Sequence, residues 1–131
     1  LGSKDTSAQA YRMAGVGPKD MDFAQLYDSF SINPIIYAED LGLCAKGQGG
    51  AFFAGGRTAP GGEFPVNTYG GLMSFGHVGD ASGQTMIVEA ARQIMGIAGE
   101  ARQLKKADLG VVHCYGGMMS EHATLVLGSA S

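Results

Sequence analysis

The chain has 131 residues, 45% of them apolar and 16% charged, with a net charge of -3. That supports one modest core and not two domains, leaves no apolar run near the ~20 residues of a membrane span, and offers no basic face for nucleic acid. Two cysteines are too few for a disulfide framework, and Leu1-Gly2-Ser3-Lys4-Asp5 lacks the apolar core of a signal peptide, so a cytoplasmic location is expected.

Residues 6–16 read as a short helix on which Ala8, Tyr11, Met13 and Ala14 share a face, stopped by Gly15-Val16-Gly17-Pro18. A polar turn at 19–22 leads into a buried strand, Phe23-Ala24-Gln25-Leu26-Tyr27. Its C-terminal end delivers Tyr27-Asp28-Ser29, and strand ends of this kind are where open α/β sheets hold ligands. Ser29 or Ser31 is placed to cap a second helix, with Pro34 in its first turn and Ile32, Ile35, Ile36 and Leu43 on its buried side. That helix ends around Leu41-Gly42.

From 47 to 62 no period is sustained and Phe52-Phe53 is the only apolar anchor, so this is expected to be a long loop serving as a cover or binding segment. A helix over 83–98 follows. Ile87, Ala90, Ala91, Ile94 and Ala98 form its buried stripe, while Glu89, Arg92 and Gln93 face away. Residues 107–115 and 123–127 read as strands joined by an antiparallel return. This order predicts a layered α/β fold, a mixed sheet with helices on its faces, with a further strand expected before Leu1.

Chemistry is confined to three turns. The first is Tyr27-Asp28-Ser29. The second is the glycine loop Asn67–Gly83, which sets His77 between glycines and runs into a helix whose free N–H groups and dipole favour negative charge. The third is His113-Cys114-Tyr115-Gly116-Gly117. His77 is the natural proton carrier, with an ordinary pKa near ~6.5. Cys114 can act as a thiol acid or base, or pack as a small apolar group. Tyr27 and Tyr115 can act as phenolic acids or as core residues. No CxxC or HxxxH occurs, His113 and Cys114 point to opposite faces of a strand, and no metal site is expected. The segment GQGGAFFAGGR lacks the Lys-Ser/Thr ending of a phosphate loop, and Arg57 within it reads as a solvated charge.

Asn67-x-x-Gly70-Gly71 followed by Gly76-His77-x-Gly79-x-x-Ser82-Gly83 resembles the "NxxGG…GHPxGxSG" signature of the thiolase superfamily. Cys114-Tyr115-Gly116 resembles its "CxG" motif, and Tyr27-Asp28-Ser29-Phe30 stands where the family has "NEAF" or "HDxF". The long loop and the ending SEHATLVLG are similar to the lipid-transfer-protein-like, sterol-carrier-type branch, and the resemblance spans about residues 7–128.

It implies the C-terminal half of a two-half fold, whose nucleophilic cysteine lies in the other half. By resemblance, His77 activates that nucleophile, Cys114 moves the proton of a Claisen condensation or cleavage, and Gly76 and Gly116 supply backbone donors to oxyanions. Asn67, Gly70, Gly71 and Asp28 would shape the substrate loop. The implied substrate is a coenzyme A thioester, with no tightly bound cofactor. The implied partners are an N-terminal thiolase half or a full-length homodimer mate, and an OB-fold zinc-binding partner of the DUF35 type.

Two departures bear on the reaction: Val78 replaces a proline, and Tyr27 replaces Asn or His. The expected activity is acetyl-CoA acetyltransferase-type acyl transfer. Retro-aldol cleavage of a steroid side-chain CoA ester, with Tyr27 and Tyr115 as acid and base, is the alternative, and a non-catalytic lipid-binding or scaffolding subunit is the third.

Overall fold

The computed structural model describes residues 1–130. Three strands, β1 (Phe23–Leu26), β2 (Leu109–Gly116) and β3 (Glu121–Gly128), form one sheet in the order β1-β2-β3. The pair β1/β2 is parallel, with Leu26 opposite His113, and β2/β3 is antiparallel, with Tyr115 opposite His122. The mixed sheet and the antiparallel return are therefore as the sequence predicts, with a connection of only residues 117–120.

The helices lie on both faces. α1 (Gly2–Ala14) packs on β3 and α2 (Ile32–Asp40) on β1, while α5 (Ser82–Met95) covers β2 from the other side. The core is Phe23, Leu26, Tyr37, Leu41, Met86, Val111 and Val112, all essentially inaccessible. β1 is buried at every position, as a strand covered on both faces must be.

Three helix faces differ from the sequence reading. On α1 the buried side is Ser3, Ser7 and Tyr11, whereas Ala8, Met13 and Ala14 are exposed. Small hydroxyls let this helix sit close to the end of α2, where Ser3 Oγ donates to Asp40 at 2.5 Å and Tyr11 OH donates to the Leu41 carbonyl at 2.8 Å. On α2 the buried residues are Asn33, Tyr37 and Ala38, and Ile32 is exposed. On α5 Glu89 and Gln93 are buried instead of facing away. Glu89 accepts hydrogen bonds from Thr68, Gln93 and Arg102, so its charge enters the interior fully partnered. α5 also ends at Met95 rather than Ala98, because Gly96 takes a left-handed cap.

The segment expected to be a long covering or binding loop contains a short helix, α3 (Gly49–Phe53). Phe52 anchors it in the core against Phe64, and Gly49 is required because a Cβ there would lie 2.7 Å from the Ile35 carbonyl. Arg57 is paired with Glu63 at 3.2 Å. Among the described residues, no helix is long and apolar enough to cross a membrane.

Candidate active site

The C-terminal ends of β1 and β2 open into a cleft of about 500 Å³. Its lining combines Tyr27, Ser29 and Phe30 from the end of β1, Cys114–Gly117 from the end of β2, and His77, Gly79, Asp80 and Gly83 from the glycine loop and α5. The three turns singled out in the sequence thus meet at one sheet edge.

The glycine loop is tied to β1 by side chains that imitate backbone. Val66 forms a parallel bridge with Ala24, and the Asn67 carboxamide then extends that pairing by one residue. Its Oδ1 accepts from the Leu26 N–H at 2.8 Å and its Nδ2 donates to the Leu26 carbonyl at 2.9 Å. One residue beyond β1's next position, Asp28 accepts the N–H of Leu72 at 2.6 Å, holding α4 (Gly71–Phe75). Gly71 has φ +74°, and any Cβ there would collide with the Asp28 carboxylate. Asn67, Gly71 and Asp28 therefore build the loop, and Gly70 supplies the left-handed residue before α4.

His77 follows α4 at the exposed rim of the cleft. Its Nε2 lies 2.8 Å from the Tyr27 hydroxyl. Behind it, Ser82 Oγ accepts the Val78 N–H at 2.9 Å, which braces the turn into α5. The Gly76 N–H donates to the Leu72 carbonyl at 2.9 Å, so the backbone donor expected there for an oxyanion is spent inside α4. Gly116 pairs with Glu121 in the sheet and lines the cleft.

Tyr27 is buried, and its ring meets that of Tyr115 edge-on at 5.0 Å between centroids. Burial pushes the Tyr27 phenol above its usual range, against an opposing pull from the Ser82 hydroxyl, and the neighbouring Tyr115 and Cys114 add to the rise. The Tyr115 oxygen is held from the other side, 2.6 Å from Ser29 Oγ and 3.1 Å from Asn33 Nδ2. Cys114 is half-buried against Gly83, and burial pushes its thiol up as well. Sequence reasoning placed Ser29 in the first candidate turn without giving it a chemical role, and missed Asn33. Ser29 was expected as a helix cap, but neither it nor Ser31 makes a capping bond, and its hydroxyl goes to Tyr115. An asparagine in a first turn with no other role was the available signal.

As expected for neighbours in a strand, His113 and Cys114 take opposite sides: His113 is fully buried against Tyr37, away from the cleft. Among the described residues, no three of His, Cys, Asp and Glu come together in a way that could hold a metal ion.

A three-layer α/β domain with a tyrosine- and histidine-lined cleft at its strand ends is the class that fold and site define. The family model "Thiolase C-terminal domain-like" matches residues 1–129, and the chain belongs to that family. It is 41% identical over 113 residues to an acetyl-CoA acetyltransferase of Methanothermobacter thermautotrophicus, covering 86% of this chain and 29% of that protein. It is 40% identical to sterol carrier protein 2 of Rattus norvegicus, over 87% of this chain and 21% of that one. Among solved structures, one titled Ltp2-ChsH2(DUF35) aldolase superposes with a TM-score of 0.86 at 30% identity, covering 97% of this chain and 31% of that chain. The chain thus spans under a third of the length of the relatives it matches.

Proposed function

We propose that this domain is the C-terminal half of a thiolase-like enzyme that cleaves a carbon–carbon bond of a β-hydroxyacyl-CoA ester by retro-aldol chemistry. The observation that carries this reading is the phenol pair: the Tyr27 hydroxyl 2.8 Å from His77 Nε2, with the Tyr115 ring packed edge-on against Tyr27 in the same cleft. A buried phenol is reluctant to ionise alone. Tyr27 can still act as a base if it passes its own proton to His77 Nε2 while taking the proton of the substrate β-hydroxyl. The Cα–Cβ bond then breaks, its electron pair becomes the thioester enolate, and the Tyr115 O–H protonates that carbon. The proton gained at His77 balances the one lost from Tyr115, and both are restored through solvent once the products have left. The 30%-identical solved neighbour titled an aldolase supports the same reading.

The site is completed by the rest of a longer protein in this proposal. Phe30, which lines the cleft, is more than half exposed, and His77 sits at the exposed rim. An N-terminal thiolase half, with an OB-fold zinc-binding partner beside it, would cover that rim and exclude water from the cleft. The 131-residue chain alone is expected to show no turnover.

Acyl transfer is the second reading, favoured by the 41%-identical acetyl-CoA acetyltransferase and by Cys114 in the same cleft. Here His77 and Cys114 take the proton-moving roles and the nucleophile comes from the other half. The two reactions differ in stoichiometry. Retro-aldol cleavage releases a carbonyl fragment and an acyl-CoA without using free CoA, whereas thiolytic acyl transfer consumes one CoA thiol per turnover. Incubating the complete protein with a steroid side-chain CoA ester carrying a β-hydroxyl, without free CoA, should release the ketone, and Tyr115→Phe should lower the release to a small residual rate. Activity only on a 3-ketoacyl-CoA with added CoA, lost in Cys114→Ala and kept in Tyr115→Phe, would replace this proposal with acyl transfer.

A further inference from the structure

The proposed acid, Tyr115, is held by a closed triangle of polar atoms. Ser29 Oγ lies 2.6 Å from the phenol oxygen, and Asn33 Nδ2 lies 3.1 Å from the phenol and 3.0 Å from Ser29 Oγ. Asn33 is 1% exposed, in the first turn of α2, and its Oδ1 is buried without a partner among the described residues. Turning the amide over would leave both of its hydrogens unpartnered instead of one carbonyl oxygen, so the observed orientation is the cheaper of two imperfect ones. A buried amide kept under this cost, when an apolar residue at the same helix position would pack, needs a reason beyond folding.

Counting hydrogens supplies the reason. Asn33 Nδ2 donates toward both hydroxyl oxygens, so each accepts from the amide. A single O–H then lies between Ser29 and Tyr115. When Ser29 donates it, the phenol oxygen accepts twice and its own proton is free for the cleft. Loss of that proton leaves a phenolate already held by two fixed donors, which is the arrangement that stabilises charge developing on an acid as it reacts. The opposite arrangement, with Tyr115 donating to Ser29, is reached by rotating two hydroxyls with no heavy atom moving.

We propose that Ser29 and Asn33 are positioning residues for the aldol reaction, fixing the Tyr115 phenol and stabilising its ionised form as it protonates the enolate. This rests on the reading of Tyr115 as the acid. Neither residue reaches the reacting carbon in this scheme; each acts through the phenol.

The test is a double-mutant cycle in the complete protein with its partner, assayed for ketone release from the β-hydroxylated steroid side-chain CoA ester. Ser29→Ala and Asn33→Ala should each lower kcat roughly 10- to 100-fold, in line with the loss of one fixed donor to a developing charge, with KM changed less than about twofold. Ser29→Thr, which keeps the hydroxyl, should restore most of kcat. In a Tyr115→Phe background neither alanine substitution should lower the residual rate further. A 13Cζ-tyrosine spectrum at fixed pH adds a readout independent of turnover: the signal lost in Tyr115→Phe should move in Ser29→Ala and Asn33→Ala, and the Tyr11 signal should not. If Tyr115→Phe falls to a small residual rate while both alanine variants keep wild-type kcat, the positioning role is overturned and the aldol reading stands. Equal losses from the alanine substitutions with and without the Tyr115 hydroxyl would also overturn it. If Tyr115→Phe cleaves normally, the aldol reading falls and takes this inference with it.

Discussion

Lowering the pH should destabilise this domain through the His113 imidazole. His113 has no accessible surface, and each ring nitrogen is engaged: Nδ1 with Thr124 Oγ1 at 2.8 Å and Nε2 with His122 Nδ1 at 3.2 Å. His122 Nε2–H donates to the Met119 carbonyl at 3.0 Å, so neutral His122 presents a bare Nδ1 that accepts from His113 Nε2–H. His113 Nδ1 then accepts from Thr124, which accepts in turn from Thr6 at 2.9 Å. Every hydrogen is used with both rings neutral. Burial above all, with repulsion from His122 and against an opposing pull from Asp40, lowers the His113 pKa to about 4. In the unfolded chain it returns to about 6.5. Because the folded value is the lower one, the unfolded state binds the proton first as pH falls. The stabilisation is complete above about pH 6.5 and is lost between there and about pH 4. At ~1.4 kcal/mol per pH unit the gap is worth about 3 kcal/mol. Urea unfolding followed by circular dichroism from pH 7.5 to 4.5 measures it. His113→Gln, whose amide replaces the ring's polar atoms without titrating, should flatten the dependence by about that amount. Equal pH slopes in the two proteins would refute the account.

Three further outcomes follow from the packing. Gly71→Ala combines a left-handed backbone with a collision on the Asp28 carboxylate, and should cost roughly 2 kcal/mol or more in urea unfolding. Glu89→Ala leaves the buried Thr68 and Gln93 without their acceptor, while the partly exposed Arg102 guanidinium can turn to water, and a loss of about 2 kcal/mol is expected in the same experiment. Tyr37→Phe should be neutral or gain up to about 1 kcal/mol, because the Tyr37 hydroxyl is buried with no partner among the described residues; a clear drop in melting temperature would contradict that.

What could be read from the sequence was whatever depends on near neighbours. The runs Phe23–Leu26 and Leu109–Gly116 are apolar enough to be interior strands, and Gly117–Ser120 is too short for anything but an antiparallel return, so the sheet followed. The helix faces were misread where burial depends on a distant partner. Nothing local to α5 tells that Glu89 will meet Thr68, 21 residues before it, and Arg102, 13 residues after it. Likewise Ser3 and Ser7 look like a solvated face until Asp40 and its carbonyl arrive from the end of α2. Periodicity ranks residues by apolarity, and a satisfied polar group escapes it.

The site divides along the same line. That the turns at Tyr27, His77 and Cys114 converge follows from strand ends in a parallel pair, which is a property of the chain's order. Which atoms of those turns face each other depends on register. Tyr115 and His113 share one side of β2, and Cys114 takes the other, toward Gly83. The same two-residue period that buries His113 against Tyr37 therefore turns Tyr115 toward Ser29 and Asn33, at the start of the helix that Tyr37 belongs to. A one-residue slip of β2 would exchange the thiol and the phenol. The placement of the Tyr115 phenol beside Ser29 and Asn33, and of the Cys114 thiol against Gly83, is thus set by the register of β2 against β1, with Leu26 opposite His113, and not by the motif residues alone.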